Sequence, residues 1–357
     1  MTDTDALSVA PRVGRSAGGG LGRYIAVRAL LIVPTVFILV SMVFVVMRLI
    51  GDPITAALGD RLPKEQLAER IHAAGYDRPI LIQYVEYLGQ VFTGNFGTTI
   101  SDNQLVTTVL VKYGTATLEL AFYALIVAFI VGIPLGMLAA YRRDKWSDAG
   151  LRVFAILSYA TPVFFAGLLL KLVFSVWLGA LPVAGRATTR TEILLQGLEN
   201  PTGIYVIDAV RTGDAAIIGD VLAHAVLPGV ALGLLTAGIF LRLVRTNMIG
   251  TLSMDYIDAA RSRGVSEYRL VSRHAFKPAL IPVMTVIGLQ VATLLGGAVL
   301  TETTFEWKGL GFQLAQYLGA RDFIAVQGIV ALLAVIVALI NFIVDILAAL
   351  IDPRVRY

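Results

Sequence analysis

A chain of 357 residues that is 57% hydrophobic and only 15% charged, with a mean hydropathy of +0.77, has too little polar surface to cover a soluble fold. Its class is therefore an all-α polytopic membrane protein. It contains no cysteine, which excludes disulfides, iron–sulfur ligation and thiol catalysis. The formal charge of +4 requires no nucleic-acid partner, because basic residues flanking membrane spans account for it.

Residues 1–23 are polar, glycine-rich and basic at Arg12, Arg15 and Arg23, which predicts a disordered cytoplasmic tail. The Gly18–Gly22 cluster follows no strand and precedes no Gly-Lys-Ser/Thr, so it does not read as a phosphate loop. The first span is expected over 24–50, with Pro34 inside it. From 51 to 113 the chain turns polar over a stretch too long for a simple connection, which predicts a functional external region. Within it Leu81, Tyr84, Val85, Leu88, Val91 and Phe92 recur at helical spacing opposite Gln83, Glu86 and Gln90. That pattern is either an amphipathic helix on the outer membrane surface or a helix packed on a small domain of its own.

Five further spans are expected in a core over 115–351: 115–140, 151–178, 222–244, 279–300 and 323–351. Pro134, Pro162, Pro228 and Pro282 fall in or at the ends of these spans, either as breaks that let helices rock or as features of packing. Lysine and arginine are denser in the tail, in 142–152, in 242–277 and at the C-terminus than in the intervening segments, which predicts both termini in the cytoplasm. Lys171 reads as snorkelling to headgroups. Glu119 and Asp345, near span ends, either pair inside the bundle or reach the interface. Gln290 and Thr293, three apart, either line a polar path or bond between helices.

Two polar stretches interrupt the core: 179–221, expected as an external loop opening with Leu181–Arg186, and the basic stretch from Asp255 to Pro282. Gly264 divides the latter into two short helices, since glycine reaches positive φ without steric cost. In the second, Tyr268, Val271 and Ala275 form an apolar face opposite Arg269, Arg273 and Lys277. Ala259 and Ala260 keep the first helix thin, the shape of a docking element, although a basic loop between spans is also what any cytoplasmic membrane loop looks like.

Asp258-Ala259-Ala260, three residues and then Gly264 resemble the Glu-Ala-Ala-x-x-x-Gly loop of permease subunits in binding-protein-dependent ABC importers. Asp258 stands where that pattern has Glu, and Lys277 where it often has Pro, with Pro278 one position later. Residues 77–100, the Leu181–Arg186 turn, the stretch from His274 to Pro282 and the terminal Asp352–Tyr357 resemble the B-type permease of the dipeptide and oligopeptide branch. The resemblance runs from about residue 51 to 357.

It implies a type I ABC importer permease bundle of six transmembrane helices with an external insert after the first, in a bacterial cytoplasmic membrane. It implies a loop over 255–276 that couples to a separate ATPase through Asp255, Asp258, Ala259, Ala260, Arg261, Gly264 and Tyr268. Gln83, Glu86 and Gln90 then lie where an extracytoplasmic solute-binding protein docks. The implied partners are a second permease subunit in a heterodimer and one or two ATPase subunits carrying ATP and Mg, with no cofactor on this chain. The implied solute is a dipeptide or oligopeptide, with nickel, glutathione or another small solute as the alternative.

The residues agree with a non-catalytic subunit. His72, His224 and His274 are far apart, with no His-Glu-x-x-His pair, no Gly-x-Ser-x-Gly turn and no Walker A sequence. A self-sufficient channel or secondary carrier would need a charge cluster deep in the spans, and an intramembrane enzyme would need a nucleophile or metal motif.

Overall fold

The computed structural model describes residues 21–60 and 62–351. Of the tail expected over 1–23, only residues 21–23 are described, and they open the first helix; Asp352–Tyr357 lie outside the described residues. The rest is helical: α1 (Leu21–Ile50), α2 (Pro53–Leu58), α3 (Lys64–Ala73), α4 (Ile80–Phe92), α5 (Val106–Val127), α6 (Ile133–Tyr141), α7 (Trp146–Ala160), α8 (Val163–Leu170), α9 (Thr189–Gln196), α10 (Tyr205–Thr212), α11 (Ala215–Leu252), α12 (Asp255–Ser262), α13 (Glu267–Arg269), α14 (Phe276–Phe305), α15 (Leu310–Gly319) and α16 (Phe323–Ile351). Wider π-helical turns join α5 to α6, extend α8 to Trp177 and link α13 to α14.

Four helices among the described residues are long and apolar enough to cross a membrane singly: Gly22–Ile50, Val106–Tyr141, Ala215–Leu252 and Phe323–Ile346. The span expected over 151–178 is two helices, Trp146–Ala160 and Val163–Trp177, bent by 108°. The cause is local. Pro162 has no N–H to donate, and it holds Thr161 extended at φ −77° and ψ 126°. Counting that pair as one span gives five, against the six expected. The segment expected over 279–300 lies within α14, which is 30 residues long. Pro34 and Pro228 stay inside continuous helices, while Pro134 is the second residue of the helix that begins after the Ala128–Gly132 π-turn.

The bundle is built around α11, which packs against α5, α6, α7 and α14. Lipid offers helices no hydrophobic reason to associate, so close contact through small residues must supply the attraction. A Cβ placed on Gly233 of α11 would lie 2.6 Å from the Ala124 carbonyl oxygen, and one on Gly136 of α6 would lie 2.8 Å from Cβ of Val244. The backbones therefore meet where no side chain could stand.

Outside this core α1 and α16 lie together, joined by Arg28–Asp345 at 3.1 Å. The outward face of α1 leaves Leu30, Val33, Ile38, Met42 and Leu49 exposed, a surface for lipid or a partner helix.

The region after α1 folds back on it. Phe44 packs on the rings of Tyr84 and Tyr87, with centroids 5.2 and 5.5 Å away, and Ser41 Oγ lies 2.6 Å from the Tyr84 hydroxyl. Leu81, Val85 and Phe92 remain exposed on the other side of α4. Asp322, at the start of α16, accepts hydrogen bonds from the Ile100 and Ser101 amides at 2.6 and 2.8 Å and so anchors the end of this region.

Substituting Gly233 tests the central contact. Because the obstacle is a backbone oxygen that cannot rotate away, Gly233→Leu should destabilise the bundle by about 1–3 kcal/mol or more. A lowered midpoint of thermal unfolding in detergent checks this, with Gly233→Ala intermediate.

Candidate functional site

The polar segment between α11 and α14 forms a compact elbow. α12 ends in a pair of hydrogen bonds, Val265 N–H to Ala260 C=O at 3.2 Å and Gly264 N–H to Arg261 C=O at 2.9 Å. This capping pattern needs a left-handed residue at its centre, and Gly264 has φ +80°. No atom lies within 4 Å of a Cβ built there, so backbone conformation, not space, demands glycine.

Ile257, Ala260, Leu270, Val271 and Ala275 are buried in one apolar cluster with Ala140 of α6, Val244 and Met248 of α11, and Ala279 and Val283 of α14. The elbow therefore adheres directly to the ends of the bundle helices.

Its other side is polar. Arg261 donates to Asp258 and to Glu267, each at 2.6 Å. These carboxylates, Glu267 first, hold its guanidinium above the ordinary arginine pKa and tie the two arms across the glycine. Asp255, Asp258, Ala259, Arg261, Gly264 and Tyr268 are exposed. Ala260 is not: it is 5% exposed and turns inward, so Ala259 alone supplies the thin outer surface.

Tyr268, expected on the apolar face with Val271 and Ala275, is 82% exposed. The π-turn over Leu270–Ala275 widens the helix, so the buried positions become Leu270, Val271 and Ala275, and Tyr268 is rotated out.

Gln290 and Thr293 do not share an environment. Gln290 is buried, with its Oε1 unpartnered, whereas Thr293 is exposed. Gln83, Glu86 and Gln90 do come together on the wall of a cavity of about 80 Å³ with Arg48 and Tyr76. Gln83 donates to the carbonyls of Tyr76 and Arg78 at 2.9 and 2.7 Å. Glu86 pairs with Arg78 at 2.6 Å, and Gln90 is exposed.

At the end of the bundle away from the elbow lies a polar knot. The side chains of Glu119 on α5 and Arg186 after α8 form a buried ion pair. Glu119 also accepts from the Val206 amide at 2.8 Å and the Tyr205 amide at 3.3 Å. Arg186 stacks over the Tyr205 ring at 3.7 Å. Nearby, Glu302 accepts from Thr117 Oγ1 at 2.6 Å and the Phe312 amide at 2.8 Å, and the Trp307 indole donates to the Ala116 carbonyl at 2.9 Å. The segment over 179–221 and the turn after α14 are thus both fastened to α5.

A matching clamp at the elbow end joins Asp148 of α7 to Arg245 of α11 at 2.6 and 2.7 Å. Sequence had marked Glu119 and Asp345 as groups that pair or surface, and both pair. It did not mark Asp148 or Glu302. Lys171, read as snorkelling, instead donates to the Thr304 carbonyl at 2.8 Å. Their partners lie up to 185 positions away in the chain, beyond any local pattern. Among the described residues no group of His, Cys, Asp or Glu is arranged to hold a metal.

Two family models match: "Binding-protein-dependent transport system inner membrane component" over residues 132–357, and the N-terminal region of such membrane components over residues 21–111. The Di/tripeptide transport system permease protein DppB of Pseudomonas aeruginosa is 39% identical over 94% of this chain and 98% of its own length. The Dipeptide transport system permease protein DppB of Escherichia coli strain K12 is 37% identical over 94% and 99%. A solved structure of the MetNI methionine ABC transporter in inward facing conformations aligns with a TM-score of 0.49 and 17% identity, over 68% of this chain and 96% of that chain. With one family model spanning residues 132–357 and relatives at 37–39% identity along nearly the whole length, the chain belongs to the binding-protein-dependent transport system inner membrane components.

Proposed function

We propose that this protein is the B-type permease subunit of an ATP-driven importer of dipeptides and short oligopeptides, with an all-α bundle of the type I importer kind. The observation that carries the reading is the elbow: a glycine-hinged element whose inner face is cemented to α6, α11 and α14 and whose outer face offers Asp255, Asp258, Ala259, Arg261 and Tyr268 to a partner. The peptide solute is supported by the di- and tripeptide permeases it resembles.

ATP and Mg are held by one or two separate ATPase subunits that grip the elbow. A second permease completes the pathway, and an extracytoplasmic binding protein delivers the solute to the face that carries the region after α1. The chain is a multi-pass protein of the bacterial inner membrane with both termini in the cytoplasm. A ligand or motor shifts a conformational equilibrium only by its differential affinity for the two states. Nucleotide-driven closure of the ATPases supplies that difference at Asp258 and Tyr268, and the apolar cluster carries it into α11.

Three outcomes test this. Gly264→Pro cannot adopt φ +80° and loses the amide that bonds Arg261, and Ala260→Arg drives a cation into the apolar cluster. Both variants should insert normally yet lose ATPase co-purification. The chain has no cysteine, so a Tyr268→Cys variant carries a unique thiol. A membrane-impermeant maleimide should label it in inverted vesicles and not in intact cells. Deleting the gene should abolish growth on dipeptides as sole nitrogen source while leaving growth on the free amino acids unchanged. Undiminished growth on dipeptides would reject the solute class.

A further inference from the structure

An open cavity of about 680 Å³ lies between the first turns of α5, the segment carrying α9 and α10, and the turn after α14. It sits at the end of the bundle opposite the elbow, and its size is that of a small-ligand cleft, roughly 300–1,000 Å³. Lys112, Arg186, Glu192, Tyr205, Lys308 and Phe312 are among the residues that line it.

The charges there are not equivalent. Asp208, also in the wall, is consumed by the Thr202 and Gly203 amides, each at 3.0 Å, and by Arg211 at 3.2 Å. Arg186 is neutralised by Glu119, although its buried Nε–H has no partner. That leaves Lys112, Lys308 and Glu192.

Lys112 forms no ion pair among the described residues and lies over the Tyr113 ring at 5.3 Å. Lys308 meets Glu192 at 3.4 Å, with the lysine side chain 56% and the glutamate side chain 16% exposed, so the long pair leaves the ammonium in reach of solvent while the carboxylate stays in the wall. Two cations and one carboxylate beside the Tyr205 and Phe312 rings are complementary to a small zwitterion with an apolar side chain.

We propose that this cavity receives a short peptide by its two ends, the α-carboxylate between Lys112 and Lys308 and the α-ammonium at Glu192, as the peptide passes into the permease. The inference rests on the proposed function and adds where the solute is held. Glu192 exchanges Lys308 for the ammonium, so the excess of positive charge in the site is the same whether it is empty or filled by a zwitterion.

Saturation-transfer NMR on the assembled permease–ATPase complex in nanodiscs, without binding protein, tests it with dialanine as the probe. Transfer to dialanine is expected, and roughly tenfold weaker binding for its C-terminal amide and for the Lys112→Glu/Lys308→Glu double variant, the scale of one lost charge-assisted contact. The conservative Lys112→Arg/Lys308→Arg variant should retain binding, which a merely structural role for the lysines would not predict. Absent transfer to dialanine, or equal transfer to the amide or with the double glutamate variant, overturns the inference.

ATP-driven uptake of labelled dialanine into proteoliposomes, with the binding protein added, separates the two failures. Import by the unmodified complex without NMR transfer removes the cavity's role alone. No import removes the peptide function, and the inference with it.

Discussion

One apolar contact carries the architecture: Ile257, Ala260, Leu270, Val271 and Ala275 of the elbow seated on Val244 and Met248 of α11. Packed interiors are dense and resist gradual deformation. A push on the exposed face of α12 is therefore not absorbed within the loop. It is delivered to α11, the helix against which α5, α6, α7 and α14 all rest. The Arg261 bridge to Asp258 and Glu267 spans the outer side of the same hinge.

The two ends of the bundle are secured by buried charge, not by apolar contact alone. Burying an ion pair costs several kcal/mol per ion in desolvation, so such pairs survive only where extra hydrogen bonds satisfy them. Both do so here. Glu119 gathers Arg186, two backbone amides and the Tyr123 hydroxyl; Asp148 receives both prongs of Arg245 and the Asp144 amide. These bonds are directional, so they set geometry where apolar packing would tolerate sliding. One knot holds the loops of the far end closed on α5, and the other holds α7 to α11 beside the elbow.

Spans, elbow and hinge glycine could all be read before folding, because each depends on neighbours a few positions apart: runs of apolar residues, a helical period, a residue free to take positive φ. Tyr268 shows where that reading stops. Its place on the apolar face assumed 3.6 residues per turn, and the π-turn over Leu270–Ala275 broke the assumption. The segment expected as a third span is a bent pair of helices. Pro162 was visible, but a proline is compatible with a continuous helix, as at Pro34 and Pro228, and the size of the 108° bend is not written in the residue itself. Gln290 and Thr293 looked like one face by spacing and are separated by burial.

Membrane class, helical content and the position of the elbow were thus properties of composition and local pattern, since lipid leaves a backbone few alternatives to the helix. The partners of Glu119, Asp148, Lys171 and Glu302, the inward turn of Ala260 and the charged cavity beside Tyr205 came only with the folded chain. Each requires groups remote in sequence to meet. Which remote groups meet is decided by how closely whole helices approach, as at Gly233 and Gly136, and that distance is written in no single segment.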